Sequence, residues 1–132
     1  MGRHDREAEY ITGYEAFNQR DFTGAVRTFD PEVEWDFSEM PDGKLVRGVD
    51  ELREYWATLV DTWLEFRVEV EEFVDGPCAD VTLVRLVAEA RTSGLRFDDP
   101  AALIWESSEG RVRRVRFTHD RDAALREAGL EP

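Results

Sequence analysis

Apolar residues repeat at helical spacing through the first half of this chain and at every second position through the second half, and that change of period divides its elements. Ile11, Tyr14 and Phe17 recur at three-residue steps with Ala8 before them, which predicts a helix from Asp5 to Gln19. Asp21 has an N-cap side chain, and Phe22, Ala25, Val26 and Phe29 follow at i, i+3, i+4 and i+7, predicting a shorter helix that ends at Asp30-Pro31. Pro31 has no N–H to give a helix. Beyond it Val33, Trp35 and Phe37 alternate with Glu34 and Asp36, the pattern of a half-buried strand. Ser38 to Gly48, with Pro41, Asp42-Gly43 and no apolar period, reads as a loop placed to cover a cavity mouth. A third helix, capped by Asp50 and running to Leu64, carries Leu52, Tyr55, Trp56, Leu59, Val60 and Trp63 on one stripe.

From Phe66 the period is 2. Phe66 to Val74, Val81 to Arg91, Leu95 to Trp105 and Arg111 to His119 read as strands joined by short Gly-containing loops, hence an antiparallel meander. Asp120 to Ala128 closes the chain as a short helix stopped by Gly129. Helices first and a long antiparallel sheet afterwards predict an α+β fold with the helices on one face of a strongly bent sheet. Val81 to Arg91 has apolar residues on both faces, with Thr82, Val84, Leu86, Ala88 and Ala90 on one and Val81, Leu83 and Val87 on the other. One face is expected to meet helices and cavity, the other a second copy of the chain, so a homodimer through the outer sheet face is expected.

The 132 residues fit one domain, 1–132, with core enough to need neither disulfide nor metal. A single cysteine, Cys78, excludes an internal disulfide and reads as a free thiol in a reducing compartment. The formal charge of -13, from 30 acidic and 17 basic residues, repels a phosphate backbone, so nucleic acid is not an expected partner. No apolar run approaches a membrane span of about 20 residues, and the first ten residues are charged throughout, so no membrane contact is expected and the cytoplasm is the expected location. Only His4 and His119 represent histidine, and no phosphate loop, paired-His metal motif or nucleophile elbow is present; no cofactor is expected.

Four strings, Ala16-Phe17-Asn18-Gln19-Arg20-Asp21-Phe22, Asp30-Pro31-Glu32-Val33-Glu34-Trp35, Arg47-Gly48-Val49-Asp50-Glu51-Leu52 and Gly110-Arg111-Val112 with Asp120-Arg121-Asp122-Ala123-Ala124-Leu125, resemble in order the SnoaL-like branch of the nuclear transport factor 2-like superfamily. The resemblance implies a cone-shaped, strongly curved sheet wrapped around N-terminal helices, with a central pocket, in a homodimer. It implies no single activity, since the superfamily holds ketosteroid isomerases, polyketide cyclases, epoxide hydrolases and members that only bind or scaffold. The ketosteroid isomerase base falls on Trp35 and its donor tyrosine on Gly13, beside Tyr14; the donor carboxyl alone finds a counterpart, in Asp99. The aspartates that flank the arginine of limonene-epoxide hydrolase fall on Val87 and Phe117, with Arg85 near the arginine.

What the SnoaL-like cyclases imply is one acid/base in an apolar cavity, for which His119 and Asp99 are the candidates. The expected ligand-binding residues are Tyr14, Phe17, Trp35, Phe37, Tyr55, Trp63, Arg91, Phe97 and Phe117, around a small hydrophobic, carbonyl-bearing molecule. Alternatives stand beside each assignment. His119 is either inside the cavity or at the surface beside Asp120 and Asp122, Asp98-Asp99-Pro100 is either a site or a strand bulge, and Arg85, Glu89 and Arg91 either hold a ligand or pair across strands. The functions that follow are a cofactor-independent cyclase or isomerase acting by proton transfer, a non-catalytic small-molecule binder, and a structural dimer module.

Overall fold

The computed structural model describes residues 3–40 and 43–131, with side chains from residue 6 onward; Pro41, Asp42 and the side chain of His4 lie outside the described residues. The elements in order are α1 (Arg3–Asn18), α2 (Phe22–Ala25), β1 (Phe29–Asp36), β2 (Leu45–Arg47), α3 (Val49–Thr62), β3 (Trp63–Asp75), β4 (Asp80–Ala90), β5 (Arg96–Ser108), β6 (Arg111–Thr118) and α4 (Arg121–Glu127). The strands form one curved sheet in the order β2-β1-β6-β5-β4-β3. The meander from β3 to β6 is antiparallel throughout, as its short loops predict. The sheet as a whole is mixed, because β1 lies parallel to β6.

Three boundaries depart from the periodicity. The second helix is only Phe22–Ala25, with Asp21 as the N-cap that accepts from the Gly24 N–H, and does not reach Asp30. Sheet bonding takes over first: the Val112 N–H donates to Thr28 O at 2.9 Å and Phe29 pairs with Val112. Pro31 then sits inside β1 rather than before it, between Phe29 and Glu34 where the register with β6 shifts, so its missing N–H interrupts no ladder. The loop after Phe37 contains a short strand, β2, whose Val46 is fully buried opposite Trp35; three residues are too few to show a period. The third helix is capped by Gly48 at φ 89°, two residues before Asp50, which lies in the first turn where a carboxylate faces the positive helix end; it ends at Thr62, so Trp63 and Leu64 open β3 instead of closing the helix.

Most of the core lies between the concave face of the sheet and the three N-terminal helices, with Phe17, Phe29, Trp35, Trp56, Phe66 and Trp105 at its centre. A smaller core sits on the convex face, where Ala124 and Ala128 of the α4 region cover Val81, Ala102 and Ile104. Asp120 caps α4 by accepting from the Ala123 N–H, and Gly129 ends it at φ 87°. Edge strand β3 is interrupted by register shifts between Trp63 and Glu65 and between Val70 and Glu72.

Candidate functional site

A cavity of about 540 Å³ opens beneath α1 and α2 and runs into the concave face of the sheet. Its size is that of a small-molecule site. Alternation on the strands delivers the walls: Trp35 and Phe37 come from β1 and the residue after it, Leu86 from β4, Leu103 and Trp105 from β5 and Phe117 from β6, while α1 contributes Tyr14 and Phe17. Trp35 is the hub of the aromatic packing. Its ring lies 5.3 Å from Trp56 and 5.5 Å from Trp105, both edge-on, and stacks on Phe37 at 5.5 Å. Offset and edge-on contacts of this kind satisfy the ring quadrupoles.

Polar groups in this wall are few. Trp105 Nε1 donates to Thr82 Oγ1 at 2.9 Å, and the Tyr14 hydroxyl lies 2.7 Å from the same oxygen. Deeper along α1, the Tyr10 hydroxyl and Arg6 Nε both donate to Asp80, each at 2.9 Å. Burial pushes the phenols of Tyr14 and Tyr10 well up, with the Asp80 carboxylate adding to the effect on Tyr10, so both stay protonated at neutral pH. Trp35 Nε1 is buried with no hydrogen-bond partner among the described residues. The remaining ionisable lining residues, Glu9, Glu15, Asp21 and Arg27, lie on the α1 and α2 rim and are at least partly open to solvent.

Five of the residues expected at the site line the cavity: Tyr14, Phe17, Trp35, Phe37 and Phe117. Tyr55 stands behind Phe37, stacked on it at 4.4 Å, and braces the wall without lining it. Trp63 and Phe97 meet edge-on at 5.5 Å, outside the lining, near the β4–β5 hairpin where Phe97 and Leu95 are exposed. Arg91 donates from Nε to Asp61 O at 2.9 Å, anchoring the start of that hairpin to the end of α3. Asp99 pairs with Leu86 across β4 and β5, so it has the concave parity that alternation gives it, but it is exposed and does not line the cavity. His119 is exposed too; its ring meets the edge of Phe117 at 5.0 Å, and its backbone N–H donates to Glu39. The structure therefore does not bring His119 and Asp99 together inside the lining.

Position along β5 explains this. The strand is exposed from Arg96 to Pro100 and buried from Ala101 to Trp105, because its first half projects past the helices. Alternation reports which face a residue is on, never whether anything covers it. Trp56 and Trp105 line the cavity as well, and Trp105 shares the alternation of Phe97 and Leu103; Thr82, the one polar residue on its strand face, stands behind the lining as the partner of Trp105 and Tyr14.

The description of the matching family model is the SnoaL-like domain, and it covers residues 11–115. The chain belongs to the SnoaL-like domain family. Among solved structures, this SnoaL-like chain is similar to a nuclear transport factor 2-like protein of unknown function from Burkholderia pseudomallei, with 24% identity over 96% of this chain and 97% of that one and a TM-score of 0.76. It is similar also to TerC co-crystallised with polyporic acid (20% identity, 92% and 95% covered, TM-score 0.75). A third is a protein named for SnoaL-like polyketide cyclases, from a Jannaschia species (16%, 98% and 94%, TM-score 0.75). At these identities the likeness is one of fold. No curated protein sequence matches the chain. Among the described residues no helix is long and apolar enough to cross a membrane.

Proposed function

We propose that this SnoaL-like protein binds a small hydrophobic molecule in the cavity beneath α1 and α2 without transforming it. One observation carries the reading: the buried part of the lining is aromatic and aliphatic and holds no carboxylate or imidazole, only phenols kept protonated by burial. A general base has to reach the proton it removes, by direct contact or through one water. The fold neighbour TerC, co-crystallised with polyporic acid, shows a similar scaffold taking up a small molecule. The rival reading is the cofactor-free cyclase or isomerase with His119 or Asp99 as acid/base, and it predicts turnover.

The experiment separates them in one sample. Binding of N-phenyl-1-naphthylamine, a neutral probe that brightens in apolar surroundings, is expected with the wild type and lost in Leu86→Trp, which fills the cavity from β4. Exchange of the α-protons of 1-tetralone in D2O, followed by proton NMR, is expected to run at the protein-free rate. Acceleration that disappears in His119→Ala or Asp99→Asn would replace this reading with the enzyme. The homodimer through the outer sheet face is a separate proposal, tested by sedimentation equilibrium, where a monomer mass would overturn it.

A further inference from the structure

The cavity is apolar within and acidic at its mouth. Of its four charged lining residues, all at the α1 and α2 rim, Glu9, Glu15 and Asp21 are acids and Arg27 alone is basic. Glu9 and Glu15 join no ion pair among the described residues, and Asp21 spends one oxygen on the Gly24 N–H that it caps. Asp80, the buried carboxylate behind Tyr10, is by contrast already answered by Arg6. The rim thus adds uncompensated negative charge to a chain whose formal charge is -13. A cleft of one sign with low-dielectric walls focuses the field into its opening and concentrates molecules of the opposite sign there. Inside, Trp35 stands at right angles to both Trp56 and Trp105, at 5.3 and 5.5 Å between ring centroids, and all three line the space. Ring planes set at right angles give that space faces as well as edges, and the face of an indole is the negative pole of its quadrupole.

We infer that the cavity selects a hydrophobic cation, an apolar body carrying a quaternary ammonium group, over the neutral molecule of the same shape. The inference rests on the binding function proposed above and specifies its ligand class. The acids of the rim draw the cation in, and the tryptophan faces hold it once it has left water. A primary ammonium is a poorer match. Its three N–H groups would give up hydrogen bonds to water that ring faces do not replace, whereas a quaternary ammonium has none to give up. Two groups oppose a cation: Arg27 at the rim and the N–H of Trp35, buried without a hydrogen-bond partner among the described residues. Each acts at one point, against three carboxylates and three indoles. An anionic ligand would meet the reverse balance and is expected to be excluded.

The test uses benzyltrimethylammonium and neopentylbenzene, which share a shape and differ in one atom, nitrogen for carbon, and hence in one charge. Each is titrated against bound N-phenyl-1-naphthylamine. The cation is expected to displace the probe at about ten-fold lower concentration than the hydrocarbon, although the hydrocarbon is the more hydrophobic of the two. Protein labelled throughout with 5-fluorotryptophan keeps its packing while fluorine draws charge from the ring faces. It is expected to bind the cation about three-fold more weakly and the hydrocarbon unchanged. Glu9→Gln with Glu15→Gln, at the rim of the cavity, is expected to weaken the cation by a further two- to three-fold or so and to flatten its salt dependence, again without effect on the hydrocarbon. Equal or tighter binding of neopentylbenzene, or a cation-to-hydrocarbon ratio that fluorination leaves unchanged, would overturn the inference while leaving the binding function standing. Failure of the naphthylamine probe itself to bind would overturn both.

Discussion

On its concave side β4 presents Val84, Leu86 and Ala88 toward the aromatic core, while on its convex side, one residue out of step, it presents Arg85 and Glu89 to charged partners. Arg85 bonds Asp98 at 2.6 Å, Arg96 reaches Glu89 and Glu65, and Arg67 bonds Glu65 and Glu69, so that ion pairs cross or run along three strands. Amid them Val87, on the same outward parity, is only 4% exposed. The comparison shows two ways of finishing a sheet. Beyond the part that α4 covers, the convex face of β3, β4 and β5 is completed by charged side chains that satisfy one another. The concave face is completed by rings that pack against one another and still leave a cavity, whose charged lining residues lie on the α1 and α2 rim.

If the two faces differ in this way, substitutions on them must differ in size. The largest effect is expected from Trp35→Ala, which removes the hub of the aromatic packing: about 3–5 kcal/mol lower stability by urea unfolding. Thr82→Val strips the shared partner from two buried donors at once and is expected to cost about 1–3 kcal/mol in the same assay, even though it preserves shape. A loss smaller than that of a surface substitution would break the contrast. On the convex face Arg96→Ala, whose side chain is 55% exposed, is expected to cost less than about 1 kcal/mol, with the difference shrinking as salt is added.

The smallest effect belongs to Asp36, at the end of β1. Burial alone would push its carboxyl up, but hydrogen bonding with Ser38, aided by Arg116 and Arg114, outweighs that and holds it below the usual 3.8. A depressed carboxylate adds stability above its unfolded value and loses it as pH falls through the folded one. Asp36→Asn is accordingly expected to melt slightly lower than the wild type at pH 7, with the two curves converging below pH 3.8.

Periodicity was enough for the meander, the amphipathic α3 and the inward direction of Trp35, Phe37 and Phe117, because each is a local property of side-chain alternation or helical spacing. It failed where distant segments compete. Phe29 belongs to a helical pattern by spacing and to β1 by its pairing with Val112, which lies far along the chain. Phe97 and Asp99 have the same parity as Leu103 and Trp105, yet only the last two lie under the helices. Thr82 looked like one polar residue among apolar neighbours; its importance comes from Tyr14 on α1 and Trp105 on β5 converging on it.

The interruptions of β3 have a consequence for the chain at high concentration. An open six-stranded sheet ends in two rows of backbone groups, and each row is a template onto which another molecule's strand can add. Here one row is the three-residue β2, too short to hold a strand in place. The other is β3, whose two register shifts break its straight run and whose Glu65, Arg67, Glu69, Glu71 and Glu72 set charges along it. Short length at one edge and broken, charged register at the other are features that work against strand addition at either end of the sheet.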